Sequence, residues 1–170
     1  MTTSSKSAIF IDLASLQAFT AVRGTPIDLG RLRDRLTGQS ALVRAAAYGI
    51  DYDGQPTPFV DAASMSNKGY KVVTKQLRRR DDGTLHASVH VDLTADALDL
   101  APHIDRLTLV TTDPDFVPLI EALQRRGVRV QVVANGRERN QALCSAADET
   151  LALEELLSDV ARSEGPRRDR

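Results

Sequence analysis

The chain has 170 residues, 42% of them hydrophobic, with 22 Lys and Arg against 23 Asp and Glu. That length suits one domain with a proper core, and the near-neutral balance excludes a globally basic nucleic-acid binder, so any such site must be a local patch. A single cysteine, Cys144, excludes an internal disulfide and a thiolate metal cluster, and no signal-peptide core or run of about 18 apolar residues is present, so a soluble cytoplasmic protein without membrane contact is expected.

In chain order, strand-like and helix-like patterns alternate. "SAIFID" (7–12) is an apolar run ending in an acid, and "SLQAFTAV" (15–22) has helical spacing. "IDLGRLRDRL" (27–36) spaces Ile27, Leu29, Leu32 and Leu36 for a second helix, and "ALVRAAAYG" (41–49) is the next strand. "PFVDAASMSNKG" (58–69) reads as a helix closed by Gly69, "YKVVTKQL" (70–77) as a strand, "RRRDDGT" (78–84) as a polar loop, and "LHASVHV" as either strand or loop. "DLTADALDLA" (92–101) is a helix stopped by Pro102, "RLTLVT" (106–111) a strand, "PDFVPLIEALQRRG" (114–127) a helix and "VRVQVV" (128–133) a strand. The segment 140–161 closes the domain, with Cys144 as filler on a helix. One domain over 7–161 is expected, between an N-terminal tail (1–6) and a disordered C-terminal tail (162–170). The alternation implies an α/β fold with a mainly parallel sheet covered on both faces, whose site lies beyond the carboxyl ends of the strands.

Acids mark those ends. Asp12 closes the first strand, and Asp113 and Asp115 follow a later one. Capping explains part of this pattern, since Asp113 can start a helix with Pro114 at its first position and Asp115 in its first turn. Asp92, Asp96 and Asp99 form one stripe on the helix between them, which is also what a solvated face looks like. Carboxylates gathered at one sheet edge repel unless a cation compensates, and oxygen ligands without thiolates suit Mg²⁺ or Mn²⁺. Such an ion points to phosphodiester hydrolysis. "KQLRRR" (75–80) adds Lys75, Arg78, Arg79 and Arg80, a cluster able to hold a phosphate backbone, or else a solvated loop weakened by Asp81 and Asp82. His90 reads as a metal ligand or as a partly buried polar residue at a helix start, and Ser15 as a partner of Asp12 or a simple cap. Thr112 flanks the same acids.

The blocks "AIFIDLASL", "VHVDLTADAL" and "LVTTDPDFVPLIEALQRRGVRVQVV", with "AADETLALEEL" near the end, resemble the signature blocks of the NYN domain family, in the LabA-like branch of the PIN-like metal-dependent nucleases. The resemblance covers about residues 7–157. It implies a Rossmann-like three-layer α/β/α sandwich whose acidic pocket, in active members, holds Mg²⁺ or Mn²⁺ and cleaves RNA. Matched position by position, Asp12, Asp96, Asp113 and Asp115 are the implied catalytic and metal-binding acids; Asp92, two residues beyond the place that His90 takes from an acid, can substitute as a ligand, and Ser15, His90 and Thr112 are pocket residues. This sequence departs from the family pattern at three places. Ser15 stands where Asn is usual, His90 where an acid is usual, and Thr111–Thr112 where Ser-Gly precedes the acidic pair. Two readings follow: a metal-dependent ribonuclease, or a degenerate domain that binds RNA or protein as a regulatory module. A second copy of the chain is a further partner open to either.

Overall fold

A computed structural model describes residues 4–51, 62–135 and 140–157. Residues 1–3, 58–61, 158–161 and 162–170, to which the sequence patterns assign parts of two tails, a helix and the domain's end, lie outside the described residues.

The first strand, β1 (Lys6–Asp12), is buried from Ser7 onward, which explains why it reads as a continuous apolar run and not as an alternating one. Ala8 and Phe10 face one hydrophobic cluster, while Ile9 and Ile11 face the other. The chain then forms α1 (Leu13–Arg23) and α2 (Leu29–Thr37), whose Leu16, Phe19, Leu32 and Leu36 cover the Ile9/Ile11 face. Gly24 ends α1 with φ of 64°, a conformation that costs other residues a Cβ clash, and its N–H bonds Thr20 O at 2.8 Å.

β2 (Ala41–Asp51) pairs in parallel with β1, α3 (Ala62–Asn67) follows, and β3 (Lys71–Gln76) forms the sheet edge beside β2. The expected loop over 78–84 begins as a strand, and the segment left open between strand and loop begins as one too. β4 (Arg78–Arg79) and β5 (Leu85–His86) form a small antiparallel hairpin in which Arg78 stands opposite His86. Next comes α4 (His90–Leu100), which begins two residues before the expected helix and puts His90 in its first turn. Pro102 lies in a 3-10 turn, Ala101–His103, that follows it.

β6 (Arg106–Val110) returns to the other side of β1. A 3-10 turn, Pro114–Phe116, leads into α5 (Val117–Gln124), and β7 (Arg129–Ala134) pairs with β6. After α6 (Gln141–Ala146), which carries Cys144, the chain forms β8 (Glu149–Ala152), a strand that the helix-forming residues of this segment do not announce. The six-stranded sheet has the order β3-β2-β1-β6-β7-β8, with every pairing parallel. Leu93 and Ala97 of α4, Leu119, Ile120 and Leu123 of α5, and Leu143 of α6 cover the face opposite α1 and α2, giving an α/β/α sandwich. The order reverses between β1 and β6, so the crevice beyond their carboxyl ends is the natural place for a site.

Candidate active site

Asp12 and Asp113 stand at that switch point. The crevice between them is a cavity of about 330 Å³, whose lining includes Asp12, Tyr48, His86, His90, Asp113 and Asp115. Asp12 comes at the last position of β1 and is the N-cap of α1, with its Oδ1 accepting from Ala14 N at 3.1 Å. It is only 4% exposed, and its Oδ2 accepts from Ser15 Oγ at 2.7 Å and from Thr111 Oγ1 at 3.1 Å. A buried carboxylate needs such donors, because desolvation otherwise costs it several kcal/mol.

Ser15 also accepts from Thr112 N at 3.0 Å, and Thr111 Oγ1 accepts from Asp113 N at 3.1 Å. Both side chains therefore join the first turn of α1 to the segment that carries the acidic pair. Ser15 does more than a cap would. Thr111, which the sequence suggested only as a departure from a pattern, is part of the same network.

Asp113 caps the 3-10 turn, with Oδ1 accepting from Asp115 N at 2.9 Å. Its Oδ2 points instead to His90 Nε2, 3.1 Å away. The His90 ring lies edge-on to buried Phe116, with centroids 4.8 Å apart and an interplanar angle of 61°. Ligand atoms of His90, Asp113 and Asp115 all lie within 4.8 Å of one another, a grouping that could hold one ion. Asp12 lines the same cavity but is outside this grouping.

Asp96 and Asp92 are elsewhere. Asp96 Oδ2 accepts from Tyr48 Oη at 2.9 Å and from Lys71 Nζ at 3.0 Å. Burial works to raise its pKa, but the Lys71 and Tyr48 hydrogen bonds and the Lys71 charge prevail and hold it below the usual carboxylate range. Asp92 Oδ1 pairs with Lys75 Nζ at 3.1 Å, while its buried Oδ2 has no hydrogen-bond partner among the described residues. The acidic stripe of α4 thus faces the lysines of edge strand β3, except Asp99, which is exposed. Tyr48 connects the two regions, since it lines the cavity and donates to Asp96. Burial, then the bond to Asp96, pushes its hydroxyl above the ordinary range, so it remains a donor. A tyrosine within an alanine-rich buried strand was the available signal for this role.

The expected repulsion among the acids is therefore relieved locally. Hydroxyls and an amide serve Asp12, His90 serves Asp113, and lysines serve Asp92 and Asp96. The grouped donors of His90, Asp113 and Asp115, an imidazole nitrogen and carboxylate oxygens, fit a divalent cation. His86 is brought to the cavity by the hairpin, with Arg78 directly across from it. Arg78, Arg79 and Arg80 are all exposed, whereas Lys75 is committed to Asp92.

Among the described residues no helix is long and apolar enough to cross a membrane. No curated protein matches the chain. Among solved structures, a protein of unknown function from Vibrio parahaemolyticus is similar over 95% of this chain and 99% of its own, with a TM-score of 0.82 and 27% identity. The MAR1 ribonuclease of Caenorhabditis elegans aligns over 98% of this chain and 86% of its own at 14% identity, but its TM-score is 0.44. The profile of the NYN domain matches residues 6–154. With an acidic crevice at the switch point of a parallel sheet and that match over most of its length, the chain belongs to the NYN domain family.

Proposed function

We propose that this protein is a ribonuclease that hydrolyses RNA phosphodiester bonds with the help of a divalent ion, Mg²⁺ or Mn²⁺, in the crevice beyond β1 and β6. The observation that carries the reading is the opening of Asp12, Asp113 and Asp115, from segments distant in sequence, onto one cavity. A bound ion would lower the pKa of a water and stabilise charge on the phosphoryl group. The chain's own residues do the rest. Asp113 has Oδ1 fixed by Asp115 N and turns Oδ2 to the cavity. Asp115 is exposed, with no side-chain partner among the described residues, and is free to hold an incoming water. Asp12, clamped by Ser15 and Thr111, supplies a fixed negative charge at the base. Thr112 holds the acidic segment through its N–H to Ser15. Asp96 and Asp92 act from outside, through Tyr48 and through the ties to β3. Arg78 and Arg80 of the hairpin segment, on the side of His86, are exposed cations that would meet RNA phosphates.

The test is purified protein with labelled single-stranded and hairpin RNA, in Mn²⁺, Mg²⁺ or EDTA, beside Asp113→Asn. We expect ion-dependent cleavage that falls about 100-fold or more in the variant. Cleavage in EDTA, or undiminished in Asp113→Asn, overturns it. One observation favours a second reading, a non-catalytic RNA-binding module: His90, Lys71 and Lys75 already partner Asp113, Asp96 and Asp92. RNA binding without cleavage in any ion would decide for it.

A further inference from the structure

We infer that the ion taken by this pocket is a first-row transition ion held partly through an imidazole, Mn²⁺, Co²⁺ or Zn²⁺ in preference to Mg²⁺, with His90, Asp113 and Asp115 as its protein donors. The inference rests on the reading above only in supposing that the crevice binds a divalent ion. It goes further in naming the ion's class and the residue that selects it.

Three features of the geometry point this way. First, among the described residues the side chains whose ligand atoms come within 4.8 Å of one another are one histidine and two aspartates, not a ring of carboxylates. Two carboxylate oxygens and an imidazole nitrogen suit an ion that accepts nitrogen readily, whereas Mg²⁺ prefers oxygen donors and gives up water reluctantly. Second, the other carboxylates that could complete an all-oxygen set are engaged by protein donors or, like the unpartnered Oδ2 of Asp92, belong to residues that do not line the cavity. Asp92 and Asp96 are paired with Lys75 and Lys71, and Asp12 spends both oxygens on Ala14 N, Ser15 and Thr111. Third, the His90 nitrogen is held in place for ligation. Its ring rests on Phe116, its backbone N–H bonds Ser88 Oγ at 3.3 Å, and Nε2 lies 3.1 Å from Asp113 Oδ2. Adjacent ligands on an ion with bonds of about 2.1 Å stand roughly 3 Å apart, so this pair already has the separation that one ion would require.

A simple His90–Asp113 hydrogen bond with no ion is the competing explanation, and it predicts no preference among metals. Calorimetric titration of the full chain with MnCl₂, ZnCl₂ and MgCl₂ separates the two. The parent should bind Mn²⁺ and Zn²⁺ at least about tenfold more tightly than Mg²⁺, and His90→Asp should narrow that ratio by strengthening Mg²⁺ and weakening Zn²⁺. Pulsed electron paramagnetic resonance of bound Mn²⁺ gives a direct view of the ligand. Nitrogen coupling should be present in the parent and in His86→Ala, which removes the other histidine at the cavity, and absent in His90→Asp and His90→Gln. Equal affinity for Mg²⁺ and Mn²⁺ in the parent, or nitrogen coupling that persists without His90, overturns the inference. The two proposals fail separately. Nitrogen-coupled Mn²⁺ without RNA cleavage defeats only the nuclease, and cleavage equally supported by Mg²⁺ without nitrogen coupling defeats only the imidazole site.

Discussion

Asp12 and Asp113 have the same chemistry and opposite surroundings. The Asp12 carboxylate accepts from three donors in a buried setting, so an amide there leaves at least one hydroxyl facing an N–H that cannot accept. Asp12→Asn is expected to cost about 1–3 kcal/mol, read as a lower melting temperature in EDTA. Asp113 is half-buried and keeps its cap when changed to Asn, since Asp and Asn are nearly equal at that position. Asp113→Asn should therefore change stability in EDTA by less than about 1 kcal/mol, yet lose most of the stabilisation that Mn²⁺ gives the parent, because an ion bound only by the folded state stabilises it as RT ln(1 + [L]/Kd). A full Mn²⁺ shift retained by Asp113→Asn would remove Asp113 from the ion site. The sequence made both acids visible, because each ends an apolar run. It offered Ser15, three residues on, as a partner of the first, but could not show that Thr111 completes the seal, since that contact spans 99 residues.

Among the elements, the hairpin makes the most discriminating prediction. Directly opposed residues on an antiparallel pair project to the same side, and neighbours along a strand alternate. Arg78, opposite His86, therefore shares the side of a cavity-lining residue, and Arg80, whose N–H bonds Thr84 O at 2.8 Å, shares it too, while Arg79 projects away. Arg78→Ala and Arg80→Ala should each reduce the slope of log affinity for RNA against log salt by roughly 1, and Arg79→Ala should not. Equal effects from all three would mean that the hairpin is only a diffuse charge. Lys75→Ala should leave that slope alone and lower stability, since its ammonium is spent on Asp92. This antiparallel pairing was hidden in sequence by the polar "RRRDDGT", which has turn chemistry but no apolar alternation. β8 was hidden for the opposite reason. Glu149, Leu151 and Ala152 favour helix, and only pairing with β7 at the sheet edge makes them a strand. The buried strands β1 and β6, and α5 with its apolar face, were legible because their periodicity and their burial agree.

At the scale of the whole molecule, stability against acid depends on carboxylates that tie elements together. Backbone N–H bonds from Arg31 and Gly30 lower the pKa of Asp28 at the start of α2. The N–H of Val130 lowers that of Asp148, which joins β7 to the segment before β8, and Lys71 with Tyr48 lowers that of Asp96 against the opposing effect of burial. A carboxyl whose folded pKa lies below its unfolded value binds protons more readily when unfolded. Its stabilisation is therefore complete above the ordinary value of about 4 and disappears as pH falls through the folded value. The melting temperature should be nearly level from about pH 7 to 5 and then fall steeply below about 4. Asp96→Asn and Asp148→Asn should start lower at neutral pH and fall less on acidification, because the titrating group is gone. Tyr48 and Tyr70 reverse the sign at the other limb. Burial, the main cause at both, raises their pKa values, so their contribution is complete below the ordinary value of about 10 and declines only as pH rises toward the folded values. Thermal melts of the parent and the two Asn variants from pH 3 to 8 give the measurement. Parallel curves for all three would show that the acid limb arises from other groups, and that the Lys71–Asp96 and Val130–Asp148 ties do not set the pH range in which α4 and β8 stay joined to the sheet.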